Sequence, residues 1–553
     1  MVKPPLTIGQ AKQGNKNCFN RNKTDSKTNW GKTGLGAETV FFLLIECVSS
    51  SFTNWSQLEL GHQLLEYKIL SDPNLLQLCQ NDKACPLNPK NFVKRCLGIE
   101  EDCRFENSYS SSSVKCSLLA GDQGRTLEDK KLEFWNQADF GLLKPLYSSL
   151  SSICESSNRE QSTLECSSNF RYCHGKNVFV DLSNLKKSSS KRYRNDVILK
   201  GQIGGSCETF DELGIRSRLK ELSYLQSWGH EFKNFETYPT FVLNSSNCDV
   251  VFDKKTIVMK LDAAINMYHH FCDFINLFLS QFLSGDFSRD VDLIWWDTYS
   301  EGYVDDIFGI MWSVFSKFKP IELIDLDGKK VCFRDVTFPL LARQRFGLYY
   351  NMPLIAGCSG SWIFKLFHEH VIHRLNIAQK GPTEETRITF IQRKTRFRQI
   401  ENWKEIRDAL NGLPSVRVRV VNFDGNVSFL DQMRIVHNTD ILMGIHGSGL
   451  THLLFLPEWA VLFELYNCGD VSCYKDLSML RGISYITMDS RYSIPQGKGV
   501  HPQSNQPHPK FDNYKLNPTK TLELIEGAVK YVKRHPLYVQ ERRRKRRRDA
   551  SEL

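Results

Sequence analysis

A chain of 553 residues, 41% hydrophobic and 24% charged, is long enough for more than one sizeable core at ~100 to 200 residues per domain. This excludes a disordered chain or a fibre. Basic residues outnumber acidic ones 72 to 62, a net charge of +10, but residues 541–553 alone carry seven Lys/Arg and three Asp/Glu, a net of +4. The remainder is mildly basic and leaves no nucleic-acid footprint, although a phosphate-bearing ligand needs only a few well-placed cations.

Residues 1–37 are rich in Lys, Asn, Gly and Thr without apolar periodicity and are expected to carry no fold. Residues 38–52 follow as a signal-peptide segment, whose core Val40–Val48 (VFFLLIECV) is far short of the ~20 apolar residues a membrane span needs. Its place behind a polar leader leaves two other readings open: a start codon set too far upstream, or an ordinary buried segment. Residues 53–200 hold eight of the seventeen cysteines at uneven spacings, with no paired CxxC that would argue for zinc. They read as a loop-rich region held by disulfides, and so as the product of an oxidising compartment. Cleavage near Ser51 would leave fifteen cysteines, an odd number, with Cys272 the candidate for the thiol left over. That compartment also permits N-glycosylation at the sequons of Asn54, Asn244 and Asn426.

Residues 201–380 change texture at about Thr256, where short β-branched or aromatic runs alternate with amphipathic stretches: TIVMKLD, AINMYHHFCDFINLFLSQFL, VDLIWWD, DDIFGIMWSVFSKF and IELIDL. A helix over 361–375 then leads to a linker at 379–383. Residues 381–535 repeat the rhythm with RITFIQR, WKEIRDALNGL, RVRVVNF, SFLDQMRIVHN, DILMGI, GLTHLLFL, AVLFELY, KDLSMLRG and SYITM, followed by a helix over 520–535. Two such sets predict two doubly wound, Rossmann-like α/β domains with a cleft between them. Residues 536–553 form a basic tail.

The segment Asp440–Pro457 is the most informative for chemistry. Its apolar strand ends at Ile445 and runs through His446, Gly447, Ser448 and Gly449 into a helix, so backbone N–H groups point beyond the strand. Small residues let an anion approach, and the positive end of the helix favours phosphate; a plain tight turn is the alternative. Ser448 is no hydrolase nucleophile, because that elbow requires G-x-S-x-G. The strand RITFIQR ends in Arg393, with Arg398 in the following loop, at the carboxyl edge where ligands bind in such sheets. Two guanidinium forks suit a diphosphate, whereas the alternative is a solvated basic loop. Upstream, His269 and Asp273 lie one turn apart on a helical face and can share a proton-transfer task or form a buried pair in which Asp273 only orients the imidazole. Glu464 ends another strand and is a candidate acceptor for a sugar hydroxyl. HEHVIH (368–373) is not a zincin, because its spacing puts Ile372 where the second imidazole belongs. Asp325-Leu326-Asp327 precedes Gly328 and reads as a turn, not a metal site.

Together, FWNQADFG from Phe134, MKLDAAINMYHHFCDFINL, GLYYNMPLIAGC, HNTDILMGIHGSGLTHLLFLPEWA and FELYNC, on to Tyr485, resemble glycosyltransferase family 61. The resemblance implies a GT-B fold and a UDP-N-acetylglucosamine donor. It also implies a Ser or Thr acceptor on folded EGF-like repeats of extracellular proteins, such as Notch-type receptors and matrix proteins, and inversion at the anomeric carbon in the endoplasmic reticulum lumen. The family's HxxxD signature falls on His269 and Asp273, its basic loop on Arg393 and Arg398, and its glycine turn on His446, Gly447 and Gly449. The corresponding roles are base chemistry for His269 or Asp273 and diphosphate binding for Arg393, Arg398 and the Gly447–Gly449 amides. His446 is placed near the donor sugar or phosphate, and Glu464 at the nucleotide end. No metal is required where cations and helix ends neutralise the diphosphate, although a divalent ion can assist. The chain departs from the family at Ser448, where Ala is usual, and at Ala550-Ser551-Glu552-Leu553, where a KDEL-like signal is expected. Competing readings are a UDP-sugar- or glycan-binding luminal protein without transferase activity, a related family 61 transferase with another acceptor, and a nuclear signal at Arg542–Arg548.

Overall fold

Two β-sheets carry the fold, and they differ in how their strands are covered. The computed structural model describes residues 55–87, 95–183, 197–219, 223–262, 264–296, 307–343, 355–465, 472–497, 499–501 and 504–551. The leader, the signal segment, the Asn54 sequon and the stretch 347–353 lie outside these residues.

Among the described residues the first sheet has ten strands, chiefly β1 (Ser151–Glu155), β2 (Thr163–Cys166), β3 (Cys173–Asp181), β4 (Val250–Met259), β5 (Asp292–Trp295), β6 (Ile321–Glu322) and β7 (Lys330–Phe338). They run across the sheet in the order β6-β5-β4-β7-β3-β2-β1. Strands β4 to β7 pair in parallel, but β7-β3, β3-β2 and β2-β1 are antiparallel. The sheet is therefore mixed, which corrects the expectation of a parallel, doubly wound first domain. The correction comes from the cysteine-rich region, which supplies β1–β3 as well as loops. Two of its strands, β1 and β2, are only five and four residues long, and disulfides Cys154–Cys207 and Cys166–Cys173 fasten their ends. Cys248–Cys332 joins the starts of β4 and β7, and Cys116–Cys358 links residues 242 apart in sequence. Because that last bridge closes so long a loop, Cys116→Ser should lower the free energy of unfolding by about 2–5 kcal/mol, read as a shift in the denaturant midpoint.

Between β4 and β5 runs α1 (Met267–Ser284), which starts where the Asn266 side chain accepts the Tyr268 N–H at 3.1 Å and stops at Gly285, whose φ of +64° suits a residue without Cβ. Nearly every residue of α1 is buried, so it is a core helix with no solvent face. A second buried helix, α2 (Trp362–Arg374), begins where Asp139 accepts the N–H groups of Trp362 and Ile363 at 2.9 and 3.3 Å.

The second sheet contains β8 (Thr386–Ile391), β9 (Val416–Val421), β10 (Ile441–Ile445), β11 (Val461–Leu465) and β12 (Ser484–Thr487), in the order β9-β8-β10-β11-β12. All its pairs are parallel, as the repeating rhythm predicts. Its crossovers are α3 (Trp403–Asn411), α4 (Phe429–His437), a 3-10 helix over Ser448–Phe455, and α5 (Cys473–Arg481); α6 (Pro518–Arg534) follows β12. Ile441, Met443 and Ile445 face a core shared with α3 and α6. Leu442 and Leu462 face the opposite core, where residues of α4 and α5 meet Phe271 and Phe274 of α1 and Phe364 and Phe367 of α2. With helices on both faces, the central strand β10 is apolar throughout and buried at every position. The aromatic contacts Phe271–Phe429 (5.9 Å) and Phe271–Phe455 (5.7 Å) tie α1 to the second sheet's helices.

The basic run is a helix, α7 (Pro536–Ser551), held to residues 382–384. Buried Tyr538 donates to the Thr383 carbonyl at 3.1 Å, and Arg542 and Arg546 both pair with Glu384. No helix among the described residues is long and apolar enough to cross a membrane.

Candidate active site

In a parallel sheet ordered β9-β8-β10-β11-β12, the connections leave the carboxyl edge in opposite directions at β8 and β10, opening a crevice between them. Arg393 follows β8, and His446 to Gly449 follow β10, so the crevice is lined by the two segments that the sequence singles out. Gly447 is the point of closest approach. A Cβ built there would lie 2.8 Å from Arg393 Nη1 and 3.3 Å from Arg398 Nη1, so any other residue would displace the guanidinium groups. Arg398, at φ +56°, also reaches the His446 carbonyl at 3.5 Å. Burial, with the neighbouring Arg398 charge, lowers the Arg393 pKa to about 10. No carboxylate among the described residues forms an ion pair with Arg393. Two half-buried like charges held together in this way define a site for an anion. The 3-10 helix adds to it: Leu450 N–H bonds to the Gly447 carbonyl at 2.9 Å, whereas the first N–H groups, at Ser448 and Gly449, have no partner within the helix. The sequence predicts a helix here, and the tighter i→i+3 winding is its observed form.

These groups open into a cavity of about 490 Å³. Arg393, Gly447, Ser448 and Gly449 line one side, and Ile265, Met267, Ile307 and Phe308 come from the segments around α1. Phe423, Phe429 and His452 complete it from the second sheet's connections.

Behind the turn, His446 is buried with Nδ1 2.7 Å from Glu464 Oε1, while Glu464 Oε2 accepts from the Tyr485 hydroxyl at 2.7 Å. Glu464 is 1% exposed with both oxygens engaged. It therefore fixes the orientation of the His446 imidazole and is not presented to a sugar hydroxyl or a nucleotide.

Across from the crevice, the pairing expected on α1 is exchanged for another. His269 Nδ1 lies 3.0 Å from Asp262 Oδ2, whereas Asp273 Oδ2 lies 2.9 Å from His270 Nδ1 and both Asp273 oxygens accept the Asp262 N–H at 3.1 Å. Arg343 grips Asp262 in a fork, Nε to Oδ2 at 3.0 Å and Nη2 to Oδ1 at 2.9 Å. Burial pushes the Asp262 carboxyl up, but hydrogen bonds from His269 and Arg343 outweigh it and hold the pKa at about 2. Burial, reinforced by the Asp262 charge, holds Asp273 well above the ordinary carboxylate value. The imidazole–carboxylate couple is thus His269–Asp262, with Asp273 bracing the backbone behind it. Sequence reasoning missed Asp262 and Arg343, although Asp262 lies just past the carboxyl end of β4, the same signal that marks Arg393.

A chain of ring contacts links His269 to His446 behind the crevice. Ring centroids step from His269 to Tyr268 (5.9 Å), to Tyr474 (5.6 Å) and to His446 (5.2 Å). The remaining sequence candidates are structural. His368 Nδ1 faces the Leu454 carbonyl at 3.0 Å, and His370 is buried 5.1 Å from the Phe278 ring. Asp325 lies in a single 3-10 turn, Leu323–Leu326, and Asp327 follows it before Gly328 at φ +76°.

The glycosyltransferase 61 family model matches residues 267–463, which run from the start of α1 into β11. The chain is 40% identical over 487 residues to the EGF domain-specific O-linked N-acetylglucosamine transferase of Bos taurus, covering 87% of this chain and 91% of that one. Against the protein of the same name from Rattus norvegicus the identity is 41% over the same shares. Against that from Drosophila melanogaster it is 40% over 447 residues, 80% of this chain and 84% of the relative. With the anion-binding crevice and the histidine couple both inside the matched span or at its edge, the chain belongs to the EGF domain-specific O-linked N-acetylglucosamine transferases of glycosyltransferase family 61.

Proposed function

We propose that this protein transfers N-acetylglucosamine from UDP-N-acetylglucosamine to a serine or threonine hydroxyl of a folded EGF-like domain, with inversion, using two α/β lobes in a GT-B-like arrangement. The observation that carries this reading is the pair of guanidinium groups gathered on Gly447, where a leaving diphosphate needs its charge neutralised. The acceptor oxygen attacks the anomeric carbon from the face opposite the diphosphate. The bond from that carbon to the phosphate oxygen breaks, and the electron pair leaves with UDP onto Arg393, Arg398 and the N–H groups of Ser448 and Gly449. The acceptor proton passes to His269 as general base, and Asp262, anionic at neutral pH, stabilises the imidazolium. His446, fixed by Glu464, completes the phosphate side of the crevice. The proposed compartment is the lumen of the endoplasmic reticulum, in keeping with six disulfides among the described residues.

The test is incubation of the purified protein with UDP-N-acetylglucosamine and a folded EGF repeat, with and without chelator, read by intact mass. Addition of one N-acetylhexosamine, undiminished by chelator, is expected. Nucleotide binding without product on any repeat would contradict transfer and leave a binding protein.

A further inference from the structure

The cavity contains a polar group that this mechanism does not use. His452 lies on the 3-10 helix just beyond the Gly447–Gly449 turn, lines the same cavity and is 2% exposed. Its Nδ1 lies 2.7 Å from the Gly449 carbonyl oxygen. A carbonyl has no proton to give, so Nδ1 must carry the hydrogen, and Nε2 of the neutral ring is left with a lone pair. Burial keeps the ring neutral by lowering its pKa to about 4, against the Gly449 carbonyl, which raises it. Nε2 has no hydrogen-bond partner among the described residues.

A buried acceptor left unmatched costs about 1–3 kcal/mol, so one held beside a binding cavity calls for a ligand donor. The surroundings indicate its shape. The imidazole centroid is 4.7 Å from that of Phe423 and 5.6 Å from that of Phe429, and both rings line the cavity. Flat apolar walls with a single acceptor match a planar heterocycle that offers one N–H donor.

We propose that the Phe423–Phe429–His452 pocket takes the pyrimidine base of the donor nucleotide and that His452 Nε2 accepts the N3–H of uracil. This rests on the UDP-sugar reading above and adds the group that selects the nucleotide. Cytosine carries a lone pair at N3 in place of the proton, so it meets His452 acceptor to acceptor and is rejected.

The test is calorimetric titration of wild type, His452→Phe and His452→Gln with UDP, CDP, UDP-N-acetylglucosamine and inorganic pyrophosphate. Wild type should bind UDP about tenfold or more tightly than CDP. His452→Phe should weaken UDP by about tenfold and erase that preference, while pyrophosphate binds as before. His452→Gln retains an acceptor oxygen and should keep part of the preference, which guards against misreading a folding defect. Unchanged UDP affinity and UDP/CDP ratio in His452→Phe would overturn the proposal. Equal weakening of UDP and CDP would overturn it by assigning Nε2 to the ribose. Weakening of UDP-N-acetylglucosamine alone would overturn it by assigning Nε2 to the sugar. Absence of UDP binding by wild type would remove the donor reading itself, an outcome distinct from all of these.

Discussion

Arg393→Ala should lower kcat/KM for N-acetylglucosamine transfer by about 10²- to 10³-fold while the protein stays folded. The fold should survive because Arg393 makes no ion pair among the described residues and sits against a second cation, so its removal leaves no buried carboxylate unmatched. Activity falls because the leaving diphosphate loses one of its two guanidinium forks. Arg393→Lys should recover only part of the loss, since an ammonium cannot reproduce the forked geometry. Gly447→Ala should act in the same direction, because its Cβ would enter the space of Arg393 Nη1 at 2.8 Å. Steady-state kinetics alongside a thermal melt provides the check. A folded Arg393→Ala protein with wild-type turnover would remove the cation from the mechanism.

His269→Gln should lower kcat by about 10²- to 10⁴-fold, the range for loss of a general base. Asp262→Asn should follow it, because the amide neither holds the Arg343 fork nor stabilises an imidazolium. The double variant should be little worse than His269→Gln alone, because the two side chains act as one unit. Asp273→Asn should differ in kind. Its carboxyl is fully buried and accepts the Asp262 N–H through both oxygens, so its loss should appear first as a lower melting temperature. Full turnover by folded His269→Gln would contradict the assignment, as would kinetic loss in Asp273→Asn without any loss of stability.

The later half of the fold is legible in the sequence because its central strands β10 and β11 are buried on both faces and its helices follow a 3.6-residue period; DILMGI and AVLFELY leave little choice but central parallel strands. The earlier half is less so. Strands β1–β3 are four to nine residues long and join the sheet antiparallel, β3 on β7, β2 on β3 and β1 on β2, and local periodicity cannot express such a continuation of a parallel sheet. At the site, Arg393, Arg398 and Gly447 are recoverable because each follows the carboxyl end of a strand that the pattern identifies. The histidine couple is only half recoverable. Helical spacing places His269 and Asp273 on one face, but it says nothing of Asp262, which arrives from the end of β4 through the tertiary fold. Glu464 shows the same limit: position at a strand end does not reveal that its carboxylate turns inward to His446 and Tyr485. His452 looks like one more core residue until the cavity beside it is seen.

The most direct measurement is a crystal structure of the protein with UDP bound. The diphosphate should lie between the Arg393 and Arg398 guanidinium groups and the Ser448 and Gly449 amides, on the side of the cavity opposite Met267 and Phe308. UDP bound elsewhere, or with its phosphates turned away from Gly447, would contradict the account.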